Sequence, residues 1–122
     1  MKIVVTGSRD WDDVETVEET LSEFPEGTIL IHGNARGLDK IAAAIGEKRG
    51  FDVRAFHADW SRHGRAAGPI RNRDMLEQEP YIVLAFPLPD SKGTVNCMNQ
   101  ARDMGICVRV VKPKTREVEI GS

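Results

Sequence analysis

The chain reads as an α/β protein built on a doubly wound parallel sheet, and three observations carry that reading. Short runs rich in β-branched residues alternate with stretches whose apolar residues recur at helical spacing. Residues 81–86 (Tyr-Ile-Val-Leu-Ala-Phe) contain no charged side chain, a pattern that suits a central strand covered on both faces. The length of 122 residues suits one domain over 1–122, and a 40% hydrophobic content is enough for one core. Right-handed crossovers between parallel strands place helices on both faces, and the expected strand order is 3-2-1-4-5.

The elements follow in order. Ile3-Val4-Val5 opens the sheet and ends at Thr6-Gly7. Val14, Val17, Leu21 and Phe24 mark a helix with Asp12 or Asp13 as its N-cap, stopped at Pro25-Glu26-Gly27. Residues 28–31 form a second strand, ended by Gly33. Leu38, Ile41, Ala42 and Ile45 line a second helix that Gly50 closes. Residues 51–56 read as the third strand, and Pro69 suits the first turn of a helix continuing over 70–78. After the strand at 81–86, Gly93-Thr94 opens a helix with Cys97, Met98, Ala101 and Met104 inward and Gly105 at its end. Residues 106–111 are the fifth strand, and 117–120 are expected as a short edge strand.

Composition narrows the function. Lys and Arg number 17 against 19 Asp and Glu, a net charge of −2 that argues against a generally basic nucleic-acid surface. No apolar run approaches the length of a membrane span and no charged leader precedes a cleavage site, so a cytoplasmic domain is expected. Two cysteines exclude a disulfide scaffold, and His32, His57 and His63 lack ligand spacing, so no metal is expected. Charge is unevenly spread. Residues 10–26 hold eight acids and no Lys or Arg, a pattern that reads as a solvated face. Residues 54–74 carry a net +3, and residues 109–116 hold four basic residues and no acid.

In a doubly wound sheet, ligands bind beyond the carboxyl ends of the strands where the strand order reverses. Three loops at that edge contain glycine: Gly7-Ser8-Arg9, then Gly33-Asn34-Ala35-Arg36-Gly37, then Lys92-Gly93-Thr94. Two of them lead into helices, whose N-terminal amides carry partial positive charge suited to phosphate. Neither a G-x-G-x-x-G fingerprint nor a P-loop occurs, which argues against full dinucleotide binding and ATPase chemistry. In the segment Ala66-Ala67-Gly68-Pro69-Ile70-Arg71-Asn72-Arg73-Asp74-Met75, Arg71 is expected in the first turn of a helix. A cation there opposes the helix dipole and costs about a few tenths of a kcal/mol unless an anion meets it. That anion is either a neighbouring acid, Asp59 or Asp74, or a bound phosphate. Asp39 is either an N-cap or a carboxylate that contacts a sugar hydroxyl or orders an arginine. Trp11 and Trp60 sit in polar loops, where an indole anchors the loop or stacks on a base. Cys97 and Cys107 read as core residues.

Gly7-Ser8-Arg9 with Trp11, Gly33-x-Ala35-Arg36-Gly37-x-Asp39, Ala58-Asp59-Trp60, Ala67-Gly68-Pro69-x-Arg71-Asn72-x-x-Met75 and Gly93-Thr94 together resemble the motifs of the SLOG superfamily. The likeness is to its small YspA- and YpsA-like family. That superfamily also holds the lysine-decarboxylase-like (LOG) phosphoribohydrolases and the DNA-processing protein DprA. The resemblance implies a Rossmann-like domain that binds a nucleotide-derived ligand, with Arg71 and the Gly93-Thr94 loop facing phosphate and ribose. It also implies a homodimer through helices near the site, for which Met75, Leu76 and Met98 are apolar candidates. The phosphoribohydrolases carry a glycine-rich loop followed by glutamates. Here Pro89-Asp90-Ser91-Lys92-Gly93-Thr94 stands in its place and Asn96 follows, and an amide is no general acid or base.

The ligand-binding set expected from these readings is Gly7, Ser8, Arg9, Gly33, Asn34, Arg36, Gly37, Asp39, Gly68, Arg71, Asn72, Gly93 and Thr94, with no separate cofactor. The first reading of function is a sensor or binding module for a nucleotide-like small molecule. An alternative is a hydrolase of nucleotide N-glycosidic bonds, with Asp39 or Asp59 as the catalytic carboxylate. DprA-like binding of single-stranded nucleic acid by the basic stretches is a second alternative, disfavoured by the net charge.

Overall fold

The computed structural model describes residues 1–114. Its elements are β1 (Lys2–Gly7), α1 (Val14–Leu21), β2 (Ile29–His32), α2 (Leu38–Lys48), β3 (Asp52–Ala55), α3 (Trp60–His63), a 3-10 turn (Gly64–Ala66), α4 (Ala67–Leu76), β4 (Ile82–Phe86), α5 (Lys92–Asp103) and β5 (Val108–Val110). The five strands form one sheet in the order β3-β2-β1-β4-β5, parallel throughout. The Rossmann-like α/β architecture and the order expected from the sequence are both borne out.

Alternation along the strands divides the core into two layers. Ile3, Val5, Leu30, Ile82, Leu84 and Phe86 face Val17 and Leu21 of α1 and Ala42 and Ile45 of α2. Val4, Ile31 and Val83 face the other way, against Met75 and Leu76 of α4 and Cys97 and Ala101 of α5. All of β4 is buried, as a strand between two helical layers requires. β1 and β4 pair at the centre, from Ile3 opposite Ile82 to Gly7 opposite Phe86. Their carboxyl ends therefore open side by side, with β2 flanking β1.

Several expectations are corrected. The helix carrying Arg71 begins at Ala67, so Arg71 lies just beyond the first turn while Pro69 stays within it. The polar stretch before it folds into α3 and the 3-10 turn, which carry no buried residue and hence no apolar signal. Phe24 lies past the end of α1 yet remains buried. Met104 is the C-cap of α5 and is exposed, and Cys107 is exposed rather than core. Met75, Leu76 and Met98 are buried within the chain, which leaves them no part in a contact between copies. The edge strand expected at 117–120 lies outside the described residues. Among those described, no helix is long and apolar enough to cross a membrane.

The acidic run is more than a solvated face. Asp13 caps α1 by accepting from the Thr16 amide, Glu15 and Glu19 hold the Lys114 ammonium at 2.8 and 2.9 Å, and Glu23 pairs with Arg109. The basic segment after β4 is thus partly neutralised within the chain, which removes two of the cations available to a nucleic acid.

Candidate functional site

Trp11 is the anchor of the first loop. It is only 2% exposed, meets Phe86 edge-on with ring centroids 5.3 Å apart, and donates from Nε1 to the Asp13 carbonyl. The turn between β1 and Trp11 is thereby fixed. Ser8 donates its amide to the Phe86 carbonyl, and its own carbonyl accepts from the amides of Trp11 and Leu38. This joins the loop after β1 to the start of α2. Two glycines permit the join. A Cβ on Gly7 would come within 2.4 Å of Leu38, and one on Gly37 (φ +74) would come within 2.3 Å of the Arg9 carbonyl oxygen.

Asp39, in the first turn of α2, turns back onto its own loop. Its Oδ2 accepts from the amides of Gly33 (2.9 Å) and Ala35 (3.2 Å). It is not the N-cap, which is Gly37. Burial pushes its pKa up to about 6, against the lowering pull of those two amides, Arg71 and Lys40. Arg71 reaches the same place from α4. Its Nη1 donates to the Gly33 carbonyl and its Nε to Asn72 Oδ1 at 3.0 Å. The guanidinium lies against Gly33 so closely that a Cβ there would stand 2.5 Å from Nη1. Burial lowers the Arg71 pKa and the nearby Asp39 opposes that shift; a guanidinium remains charged in either case. Among the described residues Arg71 forms no ion pair within 4 Å, and its Nη2 has no hydrogen-bond partner. Neither Asp59 nor Asp74 consumes its charge.

Asn72 ties α4 to α5. Its Nδ2 donates to the Gly93 carbonyl and to Asn96 Oδ1, and Gln100 donates to the same Asn96 oxygen. Asn96 is therefore a structural amide in a helix–helix network. No side chain caps α5, because the Oγ of Ser91 accepts from the Leu88 amide instead. The first amides of α5 are left facing outward, with partial positive charge.

These parts enclose a cleft of about 320 Å³ at the carboxyl edge of the sheet. Of the expected residues, Gly7, Ser8, Arg9, Gly33, Arg36, Asp39, Arg71, Asn72, Gly93 and Thr94 line it. Asn34 and Gly37 do not. Gly37 serves the loop join, and Asn34 stands on the far side of Arg71, where its amide donates to His32 Nδ1 and its side chain meets His57 and Lys40. Burial first, and then the neighbouring Lys40, His57 and Arg71, hold the His32 pKa down at about 4. Gly68 is also outside the cleft, near the Cη2 tip of Trp60, which a Cβ there would meet at 3.5 Å. Asp59 caps α3, accepting from the Arg62 amide and Ser61 Oγ; those bonds and nearby cations lower its pKa despite a slight opposing desolvation. It does not line the cleft.

The expected set omits Thr6, Asp10, Ala35, Met75, Asp90, Ser91 and Lys92, which also line the cleft. Asp90 has a usable signal in hindsight: its left-handed φ of 70 suits a short polar residue at a sharp turn before a helix. Arg36 is drawn 3.7 Å from Asp10 on the exposed rim. Among the described residues no cluster of three or more His, Cys, Asp or Glu side chains can hold a metal.

Comparison with known proteins adds three findings. The family model described as the YspA, cpYpsA-related SLOG family (YAcAr) matches residues 1–63. The Gene 61 protein of Mycobacterium phage D29 is 41% identical over 116 residues, covering 88% of this chain and 93% of that protein. Among solved structures, an NADH-dependent reductase complexed with NAD overlays 99% of this chain at 10% identity and a TM-score of 0.46, and the chain spans 62% of that structure.

Proposed function

Because this chain belongs to the YspA, cpYpsA-related SLOG family, we propose that it binds a phosphorylated nucleoside in the cleft at the carboxyl edge of β1 and β4, as a sensor or binding module. The observation that carries this reading is Arg71. A half-buried guanidinium with an unpartnered Nη2 lines a cleft whose opposite wall is the uncapped start of α5. No buried side-chain polar atom lacks a partner among the described residues, so Nη2 is reached by solvent and is free to donate a charge-assisted hydrogen bond to a phosphate oxygen. Arg9 and Lys92 add cations at the rim, with no ion-pair partner among the described residues.

Calorimetric titration with nucleoside mono- and diphosphates and ADP-ribose tests the reading. Binding is expected, and Arg71→Ala should weaken it by roughly 1.5–3 kcal/mol, the scale of a hydrogen bond to a charged group. Absence of binding at millimolar ligand overturns it.

Asp39 supports a second reading, hydrolysis of the N-glycosidic bond. A carboxyl with a pKa of about 6 that lines the cleft is suited to proton transfer near neutral pH. Release of free base from nucleoside monophosphates, followed by chromatography, is expected to be lost in Asp39→Asn. No release by the wild type leaves a binding module. Association of two copies belongs to the same proposal, now through the exposed Ile70 of α4 and Val95 of α5, and light scattering measures it.

A further inference from the structure

A second, smaller lobe opens on the other side of Arg71. Its volume is about 160 Å³, against about 320 Å³ for the cleft, and the two share Arg9, Gly33, Ala35 and Arg71. Their chemistry differs. The first lobe is lined by charged side chains and the α5 N-terminus. The second is lined by Trp60, His57, Ala58 and Asn34. Trp60 is 52% exposed, whereas the other tryptophan, Trp11, is 2% exposed. The tip of the Trp60 ring rests on Gly68 of α4, where a Cβ would sit 3.5 Å from Cη2. Asn34 is fixed in a left-handed turn (φ 58) by Lys40 on its oxygen and His57 on its amide nitrogen. His57 meets that nitrogen through Nδ1 at 3.0 Å. The lobe thus offers one exposed indole, one imidazole and one side of a guanidinium.

We infer that the second lobe takes the aromatic base of the bound nucleotide, stacked on Trp60, while its phosphate lies in the first lobe and the two halves join across Arg71. This rests on the nucleotide reading above and makes it more specific: the ligand carries a base, and a sugar phosphate alone fills only half the site. Every nucleobase has a π face, so stacking favours base-bearing ligands over bare sugar phosphates without choosing among the bases. Trp60 is a binding residue in this scheme and takes no part in bond breaking.

Intrinsic fluorescence and calorimetry with AMP and ribose 5-phosphate separate the outcomes, using the full chain and the variants Trp60→Ala and Trp60→Phe. AMP is expected to quench the wild-type emission saturably, because the exposed indole is the one beside the ligand. Trp60→Ala should raise the Kd for AMP about tenfold or more, and Trp60→Phe should restore most of it. Neither variant should change the Kd for ribose 5-phosphate beyond about twofold, and circular dichroism should match the wild type. If AMP and ribose 5-phosphate both bind and Trp60→Ala leaves AMP unaffected, the stacking inference falls and the nucleotide reading stands. If Trp60→Ala weakens both ligands equally, the inference falls as well. If neither ligand binds at millimolar concentration, the nucleotide reading falls and takes the stacking inference with it.

Discussion

Gly33→Ala isolates the arrangement on which the proposed site depends. The φ of Gly33 lies outside the left-handed region, so alanine fits the backbone without strain. What it meets is the Arg71 side chain, with the new methyl 2.5 Å from Nη1, 2.7 Å from Cζ and 3.0 Å from Nε. The guanidinium has to swing away, giving up its bonds to the Gly33 carbonyl and Asn72 Oδ1. Loss of those bonds costs about 1–2 kcal/mol of stability. Replacing a permissive glycine returns roughly 0.4–1 kcal/mol through the unfolded state. The fold should therefore lose no more than about 1–2 kcal/mol. Ligand binding should suffer more, because the displaced guanidinium no longer faces the phosphate. A loss of roughly 1.5–3 kcal/mol, or about 10- to 150-fold in Kd, is expected. Calorimetry on Gly33→Ala, Arg71→Ala and the double variant closes a mutant cycle. The double variant should bind no more weakly than Arg71→Ala alone. If Gly33→Ala binds within about twofold of wild type while Arg71→Ala loses tenfold or more, the contact between Gly33 and Arg71 does not position the arginine.

Three further outcomes are expected. Asp39, with its pKa raised to about 6, contributes stability at low pH that is lost as pH rises through about 6; His32, held at about 4, contributes stability at neutral pH that is lost as pH falls through about 4. The two oppose each other, so Asp39→Asn should unmask the histidine as a rise in stability of about 3 kcal/mol between pH 4 and 6.5, read by urea unfolding across pH; a wild-type-like flat profile refutes the assignment. Gly37→Ala places a Cβ against the backbone oxygens of Arg9 and Ser8 at a φ of +74, and should cost about 2 kcal/mol or more, seen as a fall in Tm of several degrees. An unchanged Tm would show that the join between the two loops is not rigid. An alkylating reagent should modify the exposed Cys107 in the native protein, and Cys97 only after unfolding. Cys97 is buried and its thiol is pushed up to about 11; prompt labelling of both would contradict its burial.

Strand order was legible because alternating strands and helices joined by right-handed crossovers leave few topologies open. Period-2 alternation in Ile3-Val4-Val5 assigns each side chain to a face whatever lies opposite, and an uncharged run such as residues 81–86 suits a strand covered on both sides. Glycines at loop turns and Pro69 at a helix start mark backbone geometry that few other residues adopt. Hence the edge of the sheet where the cleft opens, and ten of the residues that line it, follow from the chain's linear order.

What sequence could not decide is which groups meet across distance. Asp39, and neither Asp59 nor Asp74, stands beside Arg71 because α2 and α4 converge on Gly33, a consequence of packing two helical layers on one sheet. Proline is tolerated anywhere in a first turn, so Pro69 did not reveal that α4 starts at Ala67 and sets Arg71 one step further along. Lys92 and Asp90 lie in the loop that Gly93 and Thr94 marked, but as exposed charges they satisfy no packing rule that would single them out as lining residues. Whether Met98 was covered, and whether Trp60 stood open beside Arg71, depended on neighbours far along the chain. Burial belongs to the assembled layers, while periodicity belongs to the chain itself.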